Sequence, residues 1–340
     1  VGFLLAYILD PEDGDELDDP TAGSAGLLIK FALHHRAKVA ARLGKTVEDL
    51  APSDIQHPVQ LFGQELQADN VAAAKMNAFI HDLRADIRQG NTMRAPAFVN
   101  ADGSLRTFRK TSANPMWNQS FTPDVYENDN YHRFEWGIPP SSSADWGWLQ
   151  HMVATLEPGG RMAVVLDTGA ASRGSGNKGK NAERDIRKRF VEQDAIECVI
   201  LLPENLFFNT SAPGIIVVAT KPEPGKPRPH AGEILLINAG KFFEKGRPKN
   251  EMTDAHVAHI GELFLAWREE PDVSIIVSQA EVVRNDYNLS PSRYVATNDV
   301  DAPLPLEEAL VLLQEAEEAR ASADTKLKQV LESLGFEQWR

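Results

Sequence analysis

Cysteine is nearly absent from this sequence: Cys198, inside the apolar run 195–202, is the only one in 340 residues. One thiol can build neither an intrachain disulfide nor a cysteine-ligated zinc site, which suits a reducing cytoplasm. Also missing is any apolar run near the roughly 20 residues that a spanning helix needs. No charged segment leads into an apolar stretch with a cleavage site, so a cytoplasmic protein with no membrane partner is expected. Positive charge is in deficit too. Thirty-five Lys and Arg against 49 Asp and Glu leave a formal net charge of −14, which argues against a free-standing nucleic-acid binder, because neutralising phosphates needs a basic surface. His34, His35, His57, His81 and His151 show no metal-ligand spacing, and no metal is expected. The chain opens on Val1 rather than Met, inside the amphipathic stretch 1–9, so we expect its natural N-terminus to lie upstream.

What is present is an alternation of short apolar runs and helix-period segments from about residue 15 to 240, the mark of an α/β domain with a mostly parallel sheet. Strands are expected at 61–66, 163–166, 198–202, 215–219 and 233–238. The last two flank the Pro-rich, charged segment 221–230, which reads as the connection of an antiparallel edge hairpin. A helix is expected over about 144–156, with Leu149, Met152, Val153 and Leu156 on one face and Pro158-Gly159-Gly160 as its stop. A second, over 66–83, would bury Ala72, Lys75, Met76 and Phe79. Composition shifts near residue 300. From Pro305 a Glu- and Ala-rich helix begins, on which Leu313, Ala316, Ala323, Leu327, Val330 and Leu334 draw one narrow apolar seam, fit for a partner helix of this chain or another. Two units are therefore expected, a catalytic domain over 1–300 and a helix for subunit or intrachain packing over 301–340.

Three constellations carry chemistry. The first is the turn 18–31 (DDPTAGSAGLLIKF), where glycines let backbone N–H groups and a helix start approach a ligand while Asp19 can pair with a hydrogen-donating group. Taken alone, it is as readily an ordinary strand-to-helix turn. The second is Glu65, at the end of an expected strand, where a carboxylate can accept both hydroxyls of a ribose. It can equally be a solvated strand end. The third is the segment 112–121 (SANPMWNQSF). An exocyclic adenine amine is a poor nucleophile because its lone pair is delocalised. The Asn114 oxygen and a main-chain carbonyl beside the rigid Pro115 could accept its two hydrogens and aim it, and Trp117 could stack on a base drawn out of a duplex. By itself an Asn-Pro-aromatic segment is more often a turn; the order and spacing of the three argue otherwise.

With these residues in place, the chain resembles the methylation subunits of type I restriction-modification systems, N6-adenine DNA methyltransferases whose cofactor loop precedes the catalytic loop. DPTAGSAGLL (19–28) is similar to the family's DPxxGSGGLL, FGQEL (62–66) to its ribose-binding strand end, GNTM (90–93) to its GDTL and ANPMW (113–117) to its ANPPF. ADWGWLQHMV (144–153) and the stretch 196–218 match two long family segments that serve no general enzyme chemistry. The resemblance implies a Rossmann-like S-adenosylmethionine-dependent methyltransferase fold, α/β, with a mostly parallel doubly wound sheet, an antiparallel edge hairpin and a C-terminal helical segment. It implies S-adenosyl-L-methionine as cofactor, held by Asp19, Pro20, Thr21, Gly23, Ser24, Gly26, Glu65, Asn91 and Thr92. Catalysis would fall to Asn114, Pro115, Met116 and Trp117, by direct methyl transfer with no covalent intermediate. Double-stranded DNA, a specificity subunit and a restriction subunit are the implied partners, with two copies of this chain in a hetero-oligomeric complex.

Three departures touch the chemistry. Ala25 replaces a glycine and is tolerable only at negative φ; Asn91 replaces an acidic residue near the cofactor's adenine; Met116 replaces a second proline. Together they leave open a weakened, scaffold-like subunit. An amino-methyltransferase acting on RNA or protein glutamine is the other alternative. The basic stretch 173–190 (Arg173, Lys178, Lys180, Arg184, Arg187, Lys188, Arg189) reads equally as a phosphate contact or a solvated loop.

Overall fold

A computed structural model of the chain describes residues 1–177, 179–295 and 305–333. Its strands are β1 (Glu16–Asp19), β2 (Gln60–Glu65), β3 (Ala85–Gln89), β4 (Phe108–Ala113), β5 (Leu156–Asp167), β6 (Ile196–Leu201), β7 (Gly214–Thr220), β8 (Glu233–Asn238) and β9 (Ser274–Ser278). The α-helices are α1 (Gly2–Leu9), α2 (Gly26–Leu43), α3 (Ala68–Ile80), α4 (Asp124–Glu127), α5 (Asp145–Ala154), α6 (Gly169–Ser172), α7 (Ala182–Glu192), α8 (Asp254–Leu265), α9 (Gln279–Arg284), α10 (Pro291–Val295) and α11 (Leu306–Ser333).

The strands form one sheet in the order β3-β2-β1-β4-β5-β7-β6-β8-β9. All run parallel except β7, antiparallel to both β5 and β6, and the edge strand β9, antiparallel to β8. Because side chains alternate along a strand, each central strand feeds two cores. Ala163, Val165, Ile216 and Val218 pack beneath α1, α2 and α8 on one face. Met162, Val164, Ile215 and Val217 pack beneath α5 and α7 on the other. Strands buried on both faces read as continuous apolar runs, which is why 198–202 and 215–219 were legible.

The order holds the functional geometry. From β1 the chain winds outward through β2 and β3, then returns to place β4 on the other side of β1. The connections leaving β1 and β4 therefore diverge, and a crevice opens beyond the strands' C-terminal ends, as in any sheet with such a switch point.

Several expectations need correction. The strands at 215–219 and 233–238 do not form a hairpin: β7 is inserted between β5 and β6, and the antiparallel edge is the β8–β9 pair instead. Pro158-Gly159-Gly160 lies inside β5, bulged against β4, where Phe108 and Lys110 oppose Leu156 and Arg161. The helix before it already ends at Ala154. α3 buries Val71, Ala74 and Ala78 rather than Ala72, Lys75, Met76 and Phe79; small residues let it sit close to β2 and β3, and Phe79 is left 80% exposed. α11 docks on the body through Glu308, Val311 and Glu315, while Leu313 and Leu327 of the expected seam are each 56% exposed. Leu334 lies outside the described residues, as does Lys178.

Ala25 caps α2 at φ 64°, ψ 22°, in the left-handed region, not at the negative φ that its type prefers. That conformation costs an L-residue roughly 1–2 kcal/mol, while the fully buried methyl returns about 0.8 kcal/mol. Ala25→Gly should therefore leave stability within about 1 kcal/mol of the parent, whereas Ala25→Val should cost at least about 2 kcal/mol. Urea denaturation measures both, and a tolerated valine would contradict the left-handed cap.

Candidate functional site

Four connections meet in the crevice. β1 ends in Asp18 and Asp19, and the chain turns through Pro20–Ala25 into α2. Besides its own bond from the Ala25 N–H to the carbonyl of Ala22 at 2.7 Å, this turn is tied down by its neighbours. The Ala22 N–H donates to the carbonyl of Gln64 at 3.0 Å, the Thr92 hydroxyl to the carbonyl of Pro20 at 2.7 Å, and the Asn77 amide to the carbonyl of Ser24 at 3.0 Å. The Gly23 N–H donates to Glu65 Oε2 at 3.0 Å. Glu65 Oε1 in turn accepts from the Gln67 N–H at 2.8 Å. The Asn70 amide also donates to Oε1, at 3.4 Å; a carboxylate offers about four lone-pair sites, so Glu65 keeps about one toward the crevice.

Asp19 lies beneath the turn, 1% exposed, with Oδ1 accepting from the Thr21 N–H at 2.9 Å. Burial pushes its carboxyl up to about 7; the Thr21 hydrogen bonds oppose the shift and the Glu65 charge adds to it. Asn91 closes its own turn, its Oδ1 accepting from the Arg94 N–H at 3.1 Å.

β4 ends at Ala113 and delivers Asn114 into the opening. Among the described residues the Asn114 carboxamide has no hydrogen-bond partner, and it is exposed while Pro115 is buried. Met116 stands 71% exposed beside it. Trp117 is half-buried, edge-on to Phe207 with ring centroids 4.7 Å apart. It also closes on Gly214, where an added Cβ would lie 2.9 Å from the indole. The loop is anchored behind by the Ala144 N–H, at the start of α5, donating to the carbonyl of Gln119 at 2.8 Å.

The crevice is a cleft of about 930 Å³ lined by Pro20, Thr21, Gly23, Glu65, Asn91 and Thr92 on one side and Asn114, Pro115, Met116 and Trp117 on the other. Ten of the thirteen residues expected from the sequence thus face one space. Asp19, Ser24 and Gly26 do not line it. Asp19 supports the turn from below, Ser24 is held by Asn77, and Gly26 is the first residue of α2 with open space where a Cβ would stand.

Sequence reasoning missed two contributions. Gly63 has no room for a side chain, since an added Cβ would lie 2.8 Å from the Cβ of Ala22, so its absence lets the glycine turn rest on the sheet. Residues 206–210, read only as a family marker, line the cleft, and Phe208 is 90% exposed at its rim. The signal for Gly63 was a lone glycine inside an apolar strand, which marks a close backbone approach.

Three cations of the basic stretch point inward. Arg173 is buried and donates to Asp145, to Asp167 Oδ1 at 2.9 Å, to Glu183 Oε2 at 2.6 Å and to Asn118 Oδ1 at 3.4 Å. Burial and the nearby Asp167 charge push Asp145 up to about 7. Arg187 is fully buried and donates to the carbonyls of Ala170, Arg173 and Tyr287. Arg184 donates to the carbonyls of Asn177 and Gly179. These three hold the domain together and are not available to a phosphate.

The sheet with its switch point, glycine turn and Asn-Pro loop places the chain among α/β proteins of the methyltransferase class. The model of the N-6 DNA Methylase family matches residues 1–302, and the chain belongs to that family. It is 33% identical over 344 residues to the type I restriction enzyme MjaVII methylase subunit of Methanocaldococcus jannaschii, an alignment covering 97% of this chain and 53% of that protein. With the HindI methylase subunit of Haemophilus influenzae it shares 28% identity, covering 98% and 72%. Among solved structures, the type I restriction-modification methyltransferase subunit from Streptococcus thermophilus superposes with a TM-score of 0.72 at 29% identity, covering 87% of this chain and 58% of that one. The chain thus spans about half the length of the first of these relatives.

Two outcomes test the site. Gly63→Ala should cost about 1–3 kcal/mol and displace the Ala22–Gly23 turn, seen as a lower midpoint of chemical denaturation; an unchanged midpoint would mean that the turn does not rest on β2. Asp19 ionises near pH 7 in the fold and near 3.8 when unfolded, so the folded state holds the extra proton between these values. Its contribution is therefore greatest below about pH 4 and is lost as pH rises to about 7. Relative to Asp19→Asn, the parent should lose stability over that window, and parallel stability curves would refute the buried carboxyl.

Proposed function

We propose that this chain is the catalytic subunit of a type I restriction-modification system, a site-specific DNA adenine-N6 methyltransferase that uses S-adenosyl-L-methionine. The observation that carries the reading is the Asn114 carboxamide, uncommitted and presented at the end of β4 into the cleft that Glu65 and the Pro20–Gly23 turn also line.

The residues fit that cofactor. The cleft's volume falls within the range of small-molecule sites, Glu65 retains about one acceptor site for a ribose hydroxyl, and Gly63 lets backbone come close where a side chain could not. Pro20, Thr21, Gly23, Glu65, Asn91 and Thr92 would hold it, Asp19, Ser24 and Gly26 shaping the turn from behind. When bound, the cofactor supplies an electrophilic methyl group on a sulfonium.

The chain's own task is to hold the amine in line. Asn114 Oδ1 and the main-chain carbonyl at Pro115 accept the two amine hydrogens, which orients the nitrogen lone pair toward the methyl group and stabilises the charge developing there. Buried Pro115 keeps that carbonyl in place. Met116 offers an apolar contact, and Trp117, braced by Phe207, offers a face on which an extruded base can stack, with exposed Phe208 beside it.

With a formal net charge of −14, the grip on double-stranded DNA comes from a partner, a specificity subunit, and a restriction subunit completes the system, with two copies of this chain in the assembly. A domain over 1–300 would carry the chemistry. The C-terminal segment over 301–340, which contains α11, would serve the assembly, since Leu306, Leu310 and Leu313 leave an uncovered apolar edge along α11. Among the described residues no helix is long and apolar enough to cross a membrane.

Asn114→Ala should lower methyl transfer to duplex DNA at least about 100-fold while calorimetry shows S-adenosylmethionine affinity unchanged, because Asn114 orients the amine and not the cofactor. Loss of cofactor binding in that variant would refute the assignment. Label transferred to RNA or protein in preference to duplex DNA would refute the substrate.

A further inference from the structure

At the opposite end of the sheet, where β4 and β5 begin and β7 ends, a second cavity of about 770 Å³ opens. Its lining residues Arg109 and Lys110 stand five and four positions before Asn114 along β4, about 13–17 Å away at about 3.3 Å per residue. Arg109, Lys110, Arg161, Lys221, Lys226 and Arg228 line it, against two carboxylates, Asp194 and Glu223. In a chain of net charge −14 such a concentration of cations is unusual.

Three of these charges are neutralised by the protein. Arg161 forms a bidentate pair with Glu197, both contacts at 2.9 Å; Arg228 meets Asp194 at 2.8 Å; Lys226 meets Glu223 at 3.2 Å. The other three are neutralised less closely or not at all. Arg109 has no ion pair or hydrogen bond from its side chain among the described residues. Lys110 finds its nearest carboxylate, Asp15, only at 3.9 Å, although its side chain is just 12% exposed. Lys221 Nζ donates to the carbonyls of Ala154 at 3.2 Å and Leu156 at 2.7 Å, with no carboxylate partner.

The sheet register brings the two lysines to one end of the sheet, where Arg109 precedes Lys110 on β4. Lys110 stands opposite Arg161 across β4 and β5, Arg161 stands opposite Thr220 across β5 and β7, and Lys221 follows Thr220 with its N–H on the carbonyl of Gly160. Burial lowers both lysine ammonium groups from their usual range, a penalty that a bound anion would offset. Four prolines supply rigid, apolar wall without N–H donors, so donation to a ligand falls to the cationic side chains.

We propose that this cavity is a second ligand site, which takes a multiply charged phosphate, a di- or triphosphate either free or carried by a nucleotide, on Arg109, Lys110 and Lys221. Arg109 provides a planar fork for two phosphate oxygens, and the lysines provide point charges deeper in. Three cations, two without a carboxylate partner and the third 3.9 Å from one, match a chain of phosphates better than a single carboxylate, and the proline walls accept a flat ring beside it. The site is independent of the methyl-transfer cleft.

The test is titration calorimetry of the whole chain at about 0.15 M ionic strength with sodium tripolyphosphate and, separately, adenosine triphosphate, with sodium sulfate at matched ionic strength as control. Saturable binding of tripolyphosphate is expected, at least tenfold weaker in Arg109→Ala/Lys110→Met. Should the double variant fold poorly, the exposed single change Arg109→Ala gives the same comparison. Tighter binding of the nucleotide would assign the ring to the proline walls, and equal binding would assign the phosphate chain alone. Absence of binding by both probes, equal binding by the variants, or an equal response to sulfate would overturn the site.

Discussion

The 3.0 Å bond from the Gly23 N–H to Glu65 Oε2 joins the first two strands of the site at their C-terminal ends. It fixes the glycine turn against the carboxylate that would receive a ribose, so one side chain both builds the pocket and faces its occupant. Everything else in the cleft is placed relative to that pair. Gly63 lets the turn approach, Thr92 draws in the connection after β3, and the switch between β1 and β4 sets Asn114 across the opening.

The opposite wall is held by charge. Arg173 gathers Asp145 from α5, Asp167 from the end of β5, Glu183 from α7 and Asn118 from the loop that carries Asn114. Three carboxylates around one guanidinium is a costly burial, and removing the arginine would leave uncompensated charges in the interior. The same arrangement reaches α11, because the Gly174 N–H donates to Glu315 Oε1 at 2.6 Å. The C-terminal helix and the Asn-Pro loop are therefore connected through one residue and its neighbour.

How much of this was legible follows from where the information lies. The glycine turn, the strand-end carboxylate and the Asn-Pro segment were readable because each is local, and a sheet with a switch point brings such ends together. β4 was not readable: FRKTSA carries two cations and few large apolar residues, and only its flanking by β1 and β5 makes it a central strand. Those same cations open the second cavity. The face of α3 was misread by one helical step, because alanines fit buried and exposed positions alike. The part played by Phe207 was hidden because it reaches Trp117 from 90 positions further along the chain. Arg173 and Arg187 read as a basic surface until the carboxylates and carbonyls that surround them were seen.

Whether the convergent turns hold a cofactor and an adenine amine for direct transfer is best measured in cells. The protein would be co-expressed with a type I specificity subunit in a host free of other adenine methylation, and N6-methyladenine mapped across the host DNA. The account predicts the modified base at a single recurring sequence and nowhere else. Host DNA without N6-methyladenine, from a complex that assembles normally, would contradict it.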